Sequence, residues 1–179
     1  NNAISCSSYP LKIKRCENCH HFQLSISVDP KLLYAKNYTY LSSIGSSFVS
    51  HLEEYANWAY KRFSLKENSL VIDIGSNDGT CLEFFKANKC KVLGVDPAKV
   101  PAAIANKKGI NTINSFFNKT IAENILNGYG KADLITSHNA LAHVSNLQNV
   151  FTNIHYLLKE RGYFVFEVGY FKNVLESGC

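Results

Sequence analysis

The stretch LVIDIGSNDGT, Leu70 to Thr80, sets a carboxylate, Asp73, among apolar residues and follows it with two glycines. Leu, Val and Ile around a single acid read as the end of a core strand, and the glycines as a loop that another molecule can approach closely. Asp73, Gly75, Ser76, Asn77, Asp78 and Gly79 are therefore candidate ligand-loop residues. A dinucleotide is a poor match. Its loop runs G-x-G-x-x-G, a spacing that Gly75, Asn77 and Gly79 do not keep, and Asp73 with Asp78 would repel a pyrophosphate. Two carboxylates would instead attract an ammonium and a sulfonium, the charge pattern of S-adenosylmethionine. A strand-end Asp that only caps a turn is the plainer alternative.

Two later segments bear on this choice. GVDP places Asp96 and Pro97 at the end of a second strand pattern, where an acid can accept both hydroxyls of an adenosine ribose. LITSHNALAHV ends a further strand pattern with His138, Asn139 and His143, beside the place where the reactive end of a cofactor would lie. Each segment alone is a weak signal, and NAD would use the same acid. Their combination, in order and on matching elements, selects S-adenosylmethionine over NAD.

These residues need a scaffold, and the hydrophobic periodicity supplies one. Strand patterns at Leu70–Ile74, Lys91–Val95, Asn111–Ile113, Asp133–Ser137 and Tyr163–Val168 alternate with helical patterns at Thr80–Ala87, Pro101–Lys108, Thr120–Asn127 and Leu147–Leu158. Near-continuous apolar strands alternating with helices predict an α/β fold with a mostly parallel sheet and helices on both faces. Upstream, Phe48, Leu52, Tyr55, Ala59 and Phe63 recur at helical spacing within Ser46 to Phe63. The polar run SLKENS divides the chain into 1–66, a small Cys-containing and helical segment, and 67–179, the ligand-binding sheet domain.

The bulk properties fit this outline. A chain of 179 residues, 46% hydrophobic, can bury one sizeable core. Its net charge of +5 is scattered rather than clustered on a helix, so no nucleic-acid partner is expected. No apolar run approaches the roughly 20 residues of a membrane helix. The N-terminal residues lack the features of a secretory signal, so a cytoplasmic protein with no membrane partner is expected. The six cysteines are then expected to be thiols or metal ligands rather than a disulfide framework, with Cys81, Cys90 and Cys179 as simple reduced thiols.

The segments CENCHHFQL, YTYLSSIGSS, VIDIGSNDGT, LGVDPA, INSFFN, HNALAHV and GYFVFEV together resemble the sugar C-methyltransferases, class I enzymes that methylate a carbon of a nucleotide-linked keto-deoxysugar. The resemblance runs along the whole chain. The glycine loop is shared by most class I methyltransferases, whereas Cys-x-x-Cys followed by Gln-Leu and Tyr-x-Tyr-x-Ser-Ser is far more particular to this group. It implies a Rossmann-like methyltransferase domain that is incomplete at its C-terminal end, and a chain shortened at both ends relative to the family. The family's later Tyr and Glu-His pair, given acid/base work, lie beyond Cys179, so catalysis by this chain alone is in question.

The same resemblance implies roles. Cys16 and Cys19 would be two ligands of a structural zinc whose other pair lies further upstream in the family. Cys6, His20 and His21 are the nearby residues that could complete such a site, and a reduced, metal-free pair is the alternative. His143 and Tyr38, with Tyr40 beside it, would be catalytic. A base removes the proton next to the sugar ketone, and the enolate attacks the cofactor methyl in line. Phe116 would stack on the adenine, with Ser115 where the family often has an Asp, and His138 and Asn139 would line the transfer face. Without the resemblance, a backbone-satisfied His143, a surface Tyr38 and a core Phe116–Phe117 pair are the simpler readings. Two other functions stay open: a small-molecule O- or N-methyltransferase, and a non-catalytic zinc-ribbon binding module.

Overall fold

The computed structural model describes residues 8–36 and 38–177. Cys6 and Cys179 therefore lie outside the described residues.

Five strands form one parallel sheet: β3 (Leu70–Ile74), β4 (Lys91–Val95), β5 (Thr112–Ile113), β6 (Ala132–His138) and β7 (Leu158–Glu167), in the order β5-β4-β3-β6-β7. The connecting helices are α2 (Thr80–Ala87), α3 (Lys99–Lys107), α4 (Lys119–Tyr129) and α5 (Leu147–Leu157). Each segment expected as a strand or helix is present, with ends moved by a few residues. The largest shift is β7, which begins at Leu158 rather than Tyr163, because Leu158 pairs with Ala132 and a register irregularity precedes the regular ladder from Leu134–Tyr163 to His138–Glu167.

β3 is buried along its whole length, so its alternation is between two cores rather than between core and water. Leu70, Ile72 and Ile74 meet Ala122, Ile125, Val150, Ile154 and Leu157 of α4 and α5. Val71 faces the other way, onto Leu82 and Phe85 of α2 and onto Leu52, Ala56 and Ala59 of α1 (Ser46–Arg62). Period 2 puts Asp73 on this second face, between the sheet and α1. The helix of the N-terminal segment thus shares a core with the sheet. Its apolar stripe, read from the sequence, is the face that is buried.

Ahead of α1, the antiparallel strands β1 (Ile13–Arg15) and β2 (Phe22–Leu24) form a small exposed hairpin. A single π-helical turn (Lys31–Lys36) and a 3-10 turn (Ser42–Ile44) follow. A last helix, α6 (Phe171–Ser177), follows β7. None of these short pieces carries enough periodicity to be read from sequence. No helix among the described residues is long and apolar enough to cross a membrane.

Candidate active site

β3, β4 and β6 all end at one edge of the sheet, where their loops and the N-terminal segment enclose a cavity of about 750 Å³. Asp73, Gly75, Ser76, Asn77, Asp96, Pro97, Phe116, His138, Asn139 and His143 line it, and so do Tyr38 and Tyr40. The crevice beyond the carboxyl ends of the strands, next to the central strand, is where doubly wound sheets place their ligands.

The loop after β3 has unusual backbone geometry. Gly75 (φ +80°), Asn77 (φ +50°) and Gly79 (φ +81°) are left-handed. A Cβ on Gly75 would sit 2.5 Å from the Cβ of Ala140, so only glycine lets the two loops close on each other. Gly94 plays a related part in β4, since a Cβ there would meet the Ser76 hydroxyl at 2.4 Å.

Asp73 is 3% exposed, and its Oδ1 accepts no hydrogen bond. Burial, reinforced by the negative charge of Asp96, pushes its carboxyl up to about 8. Ser76 Oγ is buried and likewise unpartnered. Asp96 is satisfied by the chain: Oδ2 accepts the Asn77 N–H at 2.8 Å and Oδ1 the Ala98 N–H at 2.7 Å. Burial still outweighs these two bonds and raises its pKa.

Two of the expected loop residues turn away from the cavity. Asp78 and Gly79 do not line it. Asp78 accepts hydrogen bonds from Thr80 Oγ1 at 2.7 Å and from the Ser43 N–H at 3.3 Å, with Lys108 Nζ 3.9 Å away. Gly79 lets α2 pass close to Ala105 and Ile110. Asn77 lines the cavity, but its side chain is occupied by the N-terminal segment: Oδ1 accepts the Ser42 N–H at 2.9 Å, and Nδ2 donates to the Tyr40 carbonyl at 3.0 Å. The Asn-Asp pair therefore tethers Tyr40 to Ser43 over the sheet edge. Asn77→Ala should cost about 1–3 kcal/mol through the unpaired buried groups it leaves. Limited proteolysis should then cut between Tyr38 and Ser46 faster than in the parent; unchanged protection would show that the tether is redundant.

The tether brings four aromatic residues to one wall. Tyr34, on the π-helical turn, lies 5.1 Å from the His143 ring and 5.8 Å from Tyr38, and Tyr38 lies 6.4 Å from Tyr40. Tyr34 is a wall residue beyond the expected Tyr38 and Tyr40, and the spacing Y-x-x-x-Y-x-Y at residues 34–40 is its signal in the sequence. Burial lowers the pKa of His143, which favours the neutral imidazole, and raises those of Tyr34 and Tyr38. Phe116, Phe117 and Pro97 also line the cavity. Ser115 does not reach the cavity, and its hydroxyl turns to the Phe116 carbonyl at 3.2 Å. Asn139 is held at φ +53° by its N–H bond to the Glu167 carbonyl at 2.8 Å.

His138 lines the cavity, with its side chain only 6% exposed. Its Nε2 is 3.0 Å from Thr136 Oγ1, which also bonds Tyr55 OH at 2.7 Å. Burial drives the His138 pKa down to about 4. Glu167, whose place at the end of β7 could aim it into the crevice, does not line it and instead meets His51 Nε2 at 2.6 Å.

Cys16 and Cys19 are exposed free thiols on the turn between β1 and β2. Hydrogen bonds from the backbone of Cys19 and Asn18 lower the pKa of Cys16. Among the described residues no third ligand atom joins the pair. His20 is engaged with Arg15, so it does not complete a site there.

A parallel sheet with helices on both faces and a glycine-lined crevice at its central strand defines a Rossmann-like methyltransferase fold. Residues 48–178 match the family described as Methyltransferase domain, and the chain belongs to that family. It is 31% identical over 169 residues to C-methyltransferase NovU of Streptomyces niveus, covering 94% of this chain and 40% of that protein. Among solved structures it resembles the plantazolicin methyltransferase BpumL, determined with a desmethylPZN analog and SAH (TM-score 0.55, 20% identity, 73% of this chain and 49% of that one). It also resembles the mmp1179 protein of Methanococcus maripaludis (TM-score 0.57, 17% identity, 76% and 69%). The chain thus spans less than half the length of NovU and about half that of BpumL.

Proposed function

We propose that the cavity binds S-adenosylmethionine and that the chain is the core of a methyltransferase acting on a carbon of a nucleotide-linked keto-deoxysugar. The observation that carries the cofactor assignment is the buried, unpartnered Oδ1 of Asp73 beside the unpartnered Ser76 hydroxyl. A buried carboxylate without a donor is unfavourable, and the ammonium of the cofactor's amino acid part would supply both the donor and the charge. Asp96 keeps acceptor capacity for ribose hydroxyls, and Phe116 with Pro97 offers an apolar face to an adenine. When bound, the cofactor supplies an electrophilic methyl group. The remaining work falls to the chain's own side chains.

The substrate assignment rests on similarity to NovU along 94% of the chain, together with the Tyr34, Tyr38, Tyr40 and His143 wall. A neutral His143 can take the proton from the carbon next to a ketone, and the tyrosine hydroxyls can hydrogen-bond the resulting enolate oxygen. The tyrosine wall is built by the N-terminal segment, which a methyltransferase needing only the cofactor core would not require. Lys31 at the same cavity suits an anionic diphosphate. In this reading Cys16 and Cys19, with Cys16 biased toward thiolate, are half of a structural zinc knuckle. We place the protein in the cytoplasm, where nucleotide sugars are available.

Calorimetric titration with S-adenosylhomocysteine tests the cofactor reading, with NAD as comparison. Saturable binding that NAD does not reproduce, and that Asp96→Ala weakens at least tenfold, is the expected result. No binding by a folded sample would overturn it.

A further inference from the structure

A cluster at the border of the cavity remains unaccounted for. His138 and Glu167 are paired residues in the β6–β7 ladder, so their side chains leave the same face of the sheet. α1 crosses that face and brings His51 to them. One ligand atom from each of His51, His138 and Glu167 lies within 4.8 Å of the others. We propose that these three residues form a binding site for one divalent ion of the zinc type, tying α1 to the ends of β6 and β7.

Two independent features support this. The first is the donor set. Two imidazoles and one carboxylate are a common zinc combination, and bonds of about 2.0–2.1 Å at tetrahedral angles place donors roughly 3.3 Å apart. The observed separations bracket that value: His51 Nε2 is 2.6 Å and His138 Nδ1 3.9 Å from Glu167 Oε2. The second is an orphan. The His138 side chain is 6% exposed, yet its buried Nδ1 has no hydrogen-bond partner and faces Glu167.

The other ring nitrogen explains how His138 would present a lone pair there. Its Nε2–H can donate to Thr136 Oγ1 at 3.0 Å, and the Thr136 hydroxyl can donate in turn to Tyr55 OH at 2.7 Å. A metal-ligating histidine fixed through its second nitrogen in this way has its tautomer and ring plane set. His51 and Glu167 are 47% and 38% exposed, which gives the ion a path from solvent and leaves a coordination position for water. Because His138 also borders the cavity, an ion here would fix one of the cavity's walls.

The test uses the full chain carrying Cys16→Ser and Cys19→Ser, so that the exposed thiols cannot hold the metal. Zn²⁺ binding is measured by competition with a chromophoric chelator, and the Co²⁺ absorption spectrum is recorded. Expected are one ion per chain, a Co²⁺ spectrum without thiolate charge transfer, and at least tenfold weaker binding in both His51→Ala and Glu167→Gln. Both residues are half-exposed, so these variants should fold. The proposal is overturned by no saturable binding, by binding that appears only when the cysteines are restored, or by either variant retaining full affinity.

Discussion

Asp73→Asn should make the ligand-free chain more stable above pH 8 while weakening S-adenosylhomocysteine at least tenfold. The two effects have one origin. In the folded chain the Asp73 carboxyl titrates at about 8, against an ordinary 3.8, because it is buried beside Asp96 without a donor. Below the unfolded value both states hold the proton and the group is neutral in its effect. Between roughly pH 4 and 8 only the folded state holds it, so the unfolded state binds fewer protons and stability falls as pH rises. Above about 8 both states are ionised and the loss is complete, at most about 6 kcal/mol at 1.36 kcal/mol per pK unit. The neutral amide has no such transition. Melting curves from pH 5 to 9 should therefore slope downward for the parent and be flatter for the variant. A ligand ammonium would reverse the cost by pairing with the carboxylate, so binding at pH 7 should release a proton, seen as a buffer-dependent heat that the variant lacks. Equal affinity in the two proteins would remove Asp73 from the site.

His143→Ala is expected to lower turnover by about 10²–10⁴ while leaving S-adenosylhomocysteine affinity within twofold. His143 stacks against Tyr34 on the tyrosine wall, whereas Asp73 and Ser76 carry the amino acid subsite, so losing its ring should remove proton transfer without disturbing that subsite. The measurement is made on the chain and on any longer protein that contains it, with a nucleotide-linked keto-deoxysugar as substrate. Burial lowers the His143 pKa, so the acid limb of the parent's rate profile should lie below the ordinary histidine value of 6.5. Exchange of the substrate's α-hydrogen with solvent D₂O should be lost in parallel. Retained exchange with lost methylation would move the base elsewhere; retained turnover would take His143 out of the reaction.

Much of this was legible in the residues themselves. Buried parallel strands have no polar alternation, so β3 and β4 stood out as short apolar runs with both ends placed. Asp73 stood out because a carboxylate in such a run is costly without a partner. The positions of Gly75, Asp96, Phe116 and His138 around one crevice follow from topology alone, since successive strands of a doubly wound sheet end at the same edge.

What the sequence could not decide was where side chains point once the backbone leaves its ordinary conformations. Asp78 looks like a second ligand carboxylate, but the left-handed turn at Asn77 and Gly79 swings it to Ser43 and Thr80. Glu167 looks like a crevice residue, yet α1 brings His51 to it from 116 positions away in the chain. The sequence alone determined the parallel sheet and the strand-end carboxylates, because apolar runs and glycine spacing are local signals. Only the tertiary structure decided which polar groups face the ligand and which hold the N-terminal segment in place, because those contacts depend on left-handed turns and on packing between residues far apart in the chain.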